Sequence, residues 1–282
     1  MTSNSVSPDR VAGQPLPHES AHLHVAGRAP YIDDLPELAG TLHAALGLSP
    51  VAHGRLMHID VAGLKALPGV VAVLTAADIP GLNDCGALVH DDPILASSEV
   101  HYLGQPVLVV LSTQRELARR AAARTKDFVQ IEPLPAILSP EEAHAAGQYV
   151  VPPMRLRRGD VDAAFAHAPE RLQGRFHLGG QEHFYLEGQI AYVLPLEQNQ
   201  WWVYTSTQHP GEVQHWVSHA LGISNHAVTV ECRRMGGGFG GKETQAGHLA
   251  VWAALAARKT GQPVKLRLDR DDDFMLTGKR HP

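Results

Sequence analysis

Six residues at 236–241 read GGGFGG, and Lys242 and Glu243 follow them directly. This loop lies between a predicted strand, VTVECR, and a helix predicted from about Glu243 to Lys259. Backbone N–H groups in such a loop, together with the unpaired N–H groups of the helix N-terminus, favour an anionic ligand. The bulky ring of Phe239 among glycines is typical of a loop that borders a cavity. The segment therefore predicts a ligand site.

Two nucleotide-binding patterns overlap with this loop. It satisfies GxGxxG, and Asp269 ends the next predicted strand, as in dinucleotide sites of the Rossmann type. However, Asp269 follows Gly241 by 28 residues, whereas the acidic residue of that fingerprint comes about 20 residues later. The Walker-A pattern fails because Glu243 stands where a Ser or Thr hydroxyl must reach Mg²⁺. A third alternative is that the glycines only permit a tight turn and close packing.

Other candidate residues carry weaker signals. His215 and His219 are four residues apart on a predicted helix, but the sequence between them lacks the Glu of HExxH and no third ligand is evident. The acidic run at 271–273 predicts a solvated turn or the start of a helix. No GxSxG motif is present. Three histidines near the N-terminus predict a solvated segment: His18, His22 and His24.

The composition is that of a soluble globular protein. Of the 282 residues, 44% are hydrophobic and 19% are charged, and the net charge is -5. No apolar run approaches the roughly 18 residues of a membrane span, and the scattered Lys and Arg argue against nucleic-acid binding. Cys85 and Cys232 predict buried, reduced thiols. The polar N-terminus lacks the apolar core of a secretory signal, which predicts a cytoplasmic protein.

The apolar pattern predicts two domains of mixed α/β (α+β) class. The predicted units are a flexible lead-in at 1–19, a compact domain at 20–135, an extended proline-rich connector at 136–148 and a second domain at 149–282. In the first domain, Thr113 and Glu116 predict a capping box at the start of an Ala-rich helix. In the second, helical spacing from Val213 to Leu221 predicts an amphipathic helix that ends at Gly222.

Four segments in order and spacing resemble the xanthine dehydrogenase and aldehyde oxidase family. They are GGQEHFYLE at 179–187, STQHP at 206–210, RRMGGGFGGKET at 233–244 and LDRDDDFMLTGKRHP at 268–282. Nearer the start, GRAPYIDDLP and the stretch from Ala52 to Gly81 are similar to the α/β-hammerhead domain of that family. The resemblance implies the N-terminal portion of the large subunit: a hammerhead domain followed by an incomplete molybdopterin-binding domain.

The same resemblance implies cofactors and partners. Molybdenum would be bound through molybdopterin, with no direct protein ligand to the metal in this chain. Because no cysteine-rich or flavin segment precedes the hammerhead, the resemblance implies that the Fe–S clusters, FAD and NAD site lie on a small partner subunit. The expected assembly is a dimer of heterodimers that hydroxylates hypoxanthine and xanthine.

Residue roles follow from the resemblance at four positions. Gln208 matches a glutamine that hydrogen-bonds an oxygen of the molybdenum centre, and Phe239 and Gly240 match loop residues lying against the cofactor. Glu243 matches a glutamate that contacts the purine; the aldehyde-oxidising branch has an apolar residue there. The resemblance places the catalytic glutamate base beyond Pro282, so that no catalytic residue is expected here. The alternatives are an aldehyde oxidase-type enzyme and a non-catalytic nucleotide-binding module.

Overall fold

The computed structural model describes residues 12–281, so residues 1–11 of the predicted lead-in and Pro282 lie outside the described range. Ten strands form within it: β1 (Leu42–Leu48), β2 (Gly54–Ile59), β3 (Val70–Leu74), β4 (Glu99–Val100), β5 (Pro106–Ser112), β6 (Val129–Pro133), β7 (Ile190–Pro195), β8 (Trp201–Thr205), β9 (Val228–Glu231) and β10 (Val264–Arg267). Eight α-helices accompany them: α1 (Ala21–Val25), α2 (Val61–Lys65), α3 (Arg115–Ala122), α4 (Pro140–Ala145), α5 (Val161–His167), α6 (Pro210–Leu221), α7 (Gln245–Thr260) and α8 (Arg270–Leu276).

The strands form one seven-stranded and one three-stranded sheet. The large sheet has the order β3-β5-β1-β10-β7-β8-β9, and the small one the order β4-β2-β6. Most neighbours are antiparallel, but β1 pairs with β10, and β8 with β9, in parallel. Strands from both predicted domains therefore share the large sheet, joined where Leu42 lies opposite Val264. The predicted domain boundaries themselves stay a prediction.

Strand β5 lies between two hydrophobic cores and is buried along its whole length. Val109 and Leu111 face the larger core, which contains α6 and α7. Leu108 and Val110 face the smaller core beneath α2 and α3. Alternate side chains of a strand point to opposite faces, so a strand covered on both faces needs a continuous apolar run, which is what PVLVVL supplies.

The two helices behind the glycine-rich loop match their predictions closely. Helix α6 ends at Gly222, whose φ of 64° is left-handed, and α7 ends at Gly261 with φ 68°. Helix α7 begins at Gln245, two residues later than predicted, and is buried from Ala246 to Ala257. Among residues 12–281, no helix combines the length and the apolar character needed to cross a bilayer.

Two local predictions are wrong. Thr113 does not cap α3, which begins at Arg115 after Gln114 and has no side-chain cap. The N–H of Gln114 instead donates to Ser112 Oγ at 3.3 Å, so the turn out of β5 uses a different hydroxyl. The connector at 136–148 is not wholly extended, because α4 forms inside it. Its Ser139 cap, Pro140 and two following glutamates are a helix-start signal that favours this short helix.

The cysteines are free, as predicted, but they differ in burial. Cys85 is buried in the larger core, and burial raises the pKa of its thiol well above the usual range. Cys232 is only half-buried, because it lies where the chain leaves β9 for the glycine-rich loop. Neither thiol has the lowered pKa of a reactive cysteine.

Candidate functional site

The glycine-rich loop connects β9 to α7, and three of its residues adopt left-handed backbone conformations. The φ angles are 97° at Gly237, 51° at Phe239 and 87° at Gly240. Phe239 is the costly member, since a residue with a Cβ rarely adopts positive φ. Its ring is 74% exposed and points away from the core. Strain combined with an exposed aromatic ring is typical of a ligand-binding loop.

Close approach of neighbouring side chains explains three other glycines. A Cβ at Gly236 would lie 2.5 Å from Glu187 Cβ, and one at Gly238 would lie 2.6 Å from Gln208 Oε1. A Cβ at Gly241 would lie 2.7 Å from the Tyr185 ring. Packing therefore accounts for half of the segment, as the turn-and-packing alternative predicts.

Gln208 fastens the loop to the segment after β8. Its backbone N–H donates to the carbonyl of Lys242 at 2.9 Å. Its side-chain Oε1 accepts the N–H groups of Gly240 at 3.0 Å and Lys242 at 3.2 Å. These two donors fix the orientation of the amide, and Nε2 forms no hydrogen bond with the described residues. Gln208 is exposed, so this NH₂ group is available to an acceptor atom of a ligand.

Lys242 lies beneath the loop with its side chain fully buried. Its ammonium donates to the Glu187 carbonyl at 2.7 Å and to Ser206 Oγ at 2.8 Å, and lies 3.5 Å from Glu187 Oε2. It also stands 4.7 Å from the centre of the Tyr185 ring. Burial lowers the pKa of Lys242, while Glu187 opposes that shift. A buried ion pair thus forms the floor of the loop.

Glu187 links this ion pair back to the loop. Its Oε2 accepts the Gly236 N–H at 2.7 Å and the Ser206 hydroxyl at 2.6 Å. Its Oε1 is buried and has no hydrogen-bond partner among the described residues. The two ends of the loop are therefore held by one carboxylate and one amide, those of Glu187 and Gln208.

The acidic run at 271–273 starts helix α8, as one of its two predicted alternatives has it, but Asp273 is fully buried and not solvated. Tyr185 donates its hydroxyl to Asp273 Oδ1 at 2.7 Å, and Thr277 Oγ1 donates to the same oxygen at 3.0 Å. Burial and this carboxylate raise the pKa of Tyr185. The pair ties α8 to the segment that carries Glu187.

The structure brings Gln208, Phe239 and Gly240 together and leaves them accessible. A Cβ at Gly240 would meet nothing within 4 Å, so the space above the loop is open. The free amide donor, the exposed ring and the open backbone fit a ligand that presents oxygen acceptors, as the molybdopterin-bound molybdenum centre would.

Glu243 lies at the end of the same segment and is exposed. Its carboxylate makes no hydrogen bond or ion pair with the described residues, and it lies outside the first turn of α7. Sequence reasoning missed Lys242, Glu187 and Tyr185. All three lie inside the motifs at 179–187 and 233–244, but only the folded chain shows that these motifs meet.

The dinucleotide alternative is at odds with the topology and with Asp269. Strands β9 and β10 are separated by β8 and β7, whereas the Rossmann unit joins its strands in one compact βαβ unit. The Asp269 carboxylate is occupied by two arginines, Arg115 at 3.0 Å and Arg119. It therefore ties β10 to α3 and is not presented to a ribose.

Two family comparisons together match most of the sequence. Residues 26–132 match the aldehyde oxidase and xanthine dehydrogenase a/b hammerhead domain, and residues 143–282 match the molybdopterin cofactor-binding domain. The chain belongs to the aldehyde oxidase and xanthine dehydrogenase family. The predicted fold is confirmed: a mixed α/β chain with a hammerhead domain followed by molybdopterin-binding sequence.

Both xanthine dehydrogenases and aldehyde oxidases are similar to the chain. Xanthine dehydrogenase of Oryza sativa subsp. japonica is 43% identical over 95% of this chain, and aldehyde oxidase 2 of Cavia porcellus is 39% identical over 98%. In each case the match covers 20% of the relative, so the chain spans about a fifth of their length.

Solved family members share the fold. The aldehyde oxidoreductase of Desulfovibrio desulfuricans superimposes with a TM-score of 0.82 at 26% identity, over 96% of this chain and 32% of that one. Quinoline 2-oxidoreductase of Pseudomonas putida gives a TM-score of 0.78 at 29% identity, over 93% of this chain and 35% of that one. These comparisons agree on the family. The names of the relatives, however, refer to different substrates.

Proposed function

We propose that this chain is part of the molybdenum-binding subunit of a hydroxylase that oxidises hypoxanthine to xanthine and xanthine to urate, with water as the oxygen source. Electrons would leave through Fe–S clusters and FAD to NAD on a partner subunit, within a cytoplasmic dimer of heterodimers. The catalytic glutamate base would belong to sequence beyond Pro282. Family membership supports molybdenum hydroxylase chemistry; the substrate rests on Glu243.

The residues of the loop would hold and orient the cofactor. Gln208 Nε2 is the donor toward an oxygen of the molybdenum centre, because Oε1 is already used by two backbone N–H groups. Gly240 leaves space for close approach, and the Phe239 ring forms an apolar wall. The cofactor, when bound, supplies the oxidation chemistry, while the protein supplies binding and orientation.

One observation carries the choice of a purine: the Glu243 carboxylate is exposed and uncommitted at the end of the ligand-binding loop. A carboxylate accepts hydrogen bonds and donates none, so it suits a ring that presents N–H groups. An aldehyde has no N–H group to donate. Its binding would remove water from the carboxylate without replacing the lost hydrogen bonds, and this costs free energy. Glu243 would thus select purines by hydrogen bonding.

Aldehyde oxidation is the second candidate function. Aldehyde oxidase 2 of Rattus norvegicus is 40% identical to the chain, which lies between the 37% of xanthine dehydrogenase/oxidase of Mus musculus and the 43% of the Oryza sativa enzyme. Overall identity thus favours neither substrate. The choice depends on the residue that faces the substrate.

The test is an assay of the full-length subunit expressed with its Fe–S and flavin partner. We expect xanthine to be oxidised to urate with reduction of NAD, at a kcat/KM well above that for an aromatic aldehyde. A higher kcat/KM for the aldehyde would reject the purine assignment and favour the second candidate.

A further inference from the structure

Three side chains with metal-binding groups meet far from the glycine-rich loop in sequence, on the small sheet of the first predicted domain. One ligand atom from each of His53, Glu99 and His101 lies within 4.8 Å of the others. Within residues 12–281, no other group of three His, Cys, Asp or Glu side chains comes this close. We propose that His53, Glu99 and His101 bind a divalent transition-metal ion of the zinc class.

Strand pairing explains why the three side chains share a face. Strands β2 and β4 are antiparallel, with Gly54 opposite Val100. Continued by one residue past the paired ends, this register places His53, just before β2, opposite His101, just after β4. Glu99 and His101 are two residues apart, so in extended chain their side chains point to the same side. The strand pairing therefore brings the three side chains to one face.

The interatomic distances suit a small ion. Glu99 Oε1 lies 2.7 Å from His53 Nε2 and 3.9 Å from His101 Nδ1. Tetrahedral zinc with ligands at about 2.0–2.1 Å requires a separation of about 3.3 Å between ligand atoms. The two observed separations lie on either side of this value. Small rotations of exposed side chains would bring all three into range and leave a fourth position for water.

A carbonyl group already orients the first histidine. His53 Nδ1 donates to the Pro135 carbonyl at 2.6 Å, and a carbonyl oxygen can only accept. The Nδ1 atom therefore carries the hydrogen, and Nε2 is directed at the Glu99 carboxylate. When the imidazole is charged, Nε2 donates its own proton to the carboxylate at 2.7 Å, and when the imidazole is neutral, the Nε2 lone pair is available to a metal ion that the carboxylate also binds. Histidines that bind metal ions usually donate the N–H of their other ring nitrogen in this way, to a carbonyl, a carboxylate or water.

The surroundings leave this site accessible and free of a strongly competing charge. Both histidines line an open surface cleft together with Pro135 and Gln148. Arg55, which pairs with Glu99 across the ladder, directs its guanidinium to Glu132 at 3.6 Å. Imidazole and carboxylate ligands suit zinc and its neighbours in the first transition row. Because Pro135 follows β6, a bound ion would fasten the start of the predicted connector to the small sheet.

The experiment is a zinc titration of the tag-free full-length subunit by calorimetry, with the absorption of cobalt(II) as a probe of tetrahedral geometry. We expect one ion per chain and a rise in thermal stability on binding. His53→Gln and His101→Gln each remove a direct ligand and should weaken binding by at least about tenfold, the loss seen when a group that only orients a ligand is removed. His101 is exposed and its side chain makes no hydrogen bond with the described residues, so its variant should fold normally.

The matched control is the double variant His215→Gln/His219→Gln. These two histidines lie on α6 with ring centres 3.8 Å apart but without a carboxylate partner. We expect zinc binding to survive their replacement. The proposal is rejected if no saturable binding is found, if replacing His101 changes nothing, or if replacing the helix pair removes the binding. None of these outcomes depends on the proposed purine oxidation.

Discussion

At the scale of single residues, Gly240 differs from the other loop glycines because open space, not a neighbouring side chain, surrounds its missing Cβ. In the full-length subunit, Gly240→Val should abolish molybdenum binding and leave the hammerhead folded. Valine would project into the ligand space, and at φ 87° it also adds strain of roughly 1–2 kcal/mol. Metal analysis of the purified variant measures the effect.

Gly147 provides the matched control for that substitution. It has φ 67°, an equally open Cβ position and a place just after α4, away from the loop. Gly147→Val should impose similar backbone strain and retain molybdenum. Unchanged molybdenum content in the Gly240 variant would show that the loop backbone does not approach the cofactor.

Lys242 should be the most sensitive residue beneath the loop. Lys242→Met leaves the Glu187 carboxylate without its cation in a buried position, and breaking a buried ion pair costs roughly 3–5 kcal/mol. Urea unfolding followed by tryptophan fluorescence measures the loss. In the matched variant Lys259→Met, the lysine lost pairs with Asp78 at the surface, where such pairs contribute about 0–1 kcal/mol. Equal losses in both variants would contradict the role of burial.

At the scale of elements, α6 and α7 cross where Gly247 meets Trp216. Alanine is a better helix former than glycine by about 1 kcal/mol, yet Gly247→Ala should destabilise the protein. Its Cβ would lie 2.1 Å from the indole ring, and overpacking a core costs roughly 1–3 kcal/mol. Thermal unfolding shows whether Gly247→Ala raises or lowers the stability of the protein. Gly211→Ala, on α6 with nothing within 4 Å, should be neutral or slightly stabilising. A stabilised Gly247 variant would refute this packing.

The sequence predicts elements well where their signals are local. The ends of α6 and α7 follow from Gly222 and Gly261, because a left-handed C-terminal glycine stops a helix through its own backbone. The start of α3 was misplaced because Ser112 competes with Thr113 for the same turn. Local signals therefore predict the position of a helix better than the residue that caps it.

The floor of the site could not be predicted, because its contacts are long-range. Burial of Asp273 depends on Tyr185, 88 residues earlier, and the Lys242 ion pair spans 55 residues. Composition places Asp and Lys at the surface, and only tertiary packing reveals the exceptions. The four site residues came instead from the resemblance of whole motifs to a family, and their roles stay predictions.

At the scale of the whole molecule, the segment between α4 and β7 exposes several large apolar side chains. More than nine-tenths of each of the following is exposed: Val150, Met154, Leu156, Leu172, Phe176 and Leu186. We expect the isolated chain to self-associate and to purify without molybdenum, because such patches drive association unless another surface covers them. Light scattering and metal analysis measure both properties. Replacing Leu156 and Phe176 by Ser should reduce association, and a monodisperse chain that retains molybdenum would contradict this prediction.

The shared sheet is the feature of the whole molecule that the sequence did not reveal. Pairing of β1 with β10 joins residues more than 200 positions apart, from Leu42–Val264 to Ala44–Leu266. Apolar patterns identify each strand but not its partner, since both strands offer similar side chains to the core. The two predicted domains therefore share a sheet although their sequences are separate.

Glu243 tests the central claim, that this member of the family selects a purine. In the full-length enzyme, Glu243→Val should lower kcat/KM for xanthine by about tenfold to two-hundredfold, the loss for a charged hydrogen bond of roughly 1.5–3 kcal/mol. Turnover of an aromatic aldehyde should hold steady or rise, because an apolar wall then faces an apolar substrate. Molybdenum content should not change.

Glu197→Val provides the control, since Glu197 is exposed in the turn between β7 and β8, away from the loop. Glu197→Val should change kcat/KM for neither substrate. The decisive measurement is the ratio of kcat/KM for xanthine to that for the aldehyde, in wild type and in Glu243→Val. We predict that this ratio falls by about tenfold or more, which corresponds to the free energy of one hydrogen bond to a charged group. An equal loss on both substrates, with the ratio unchanged, would contradict the account.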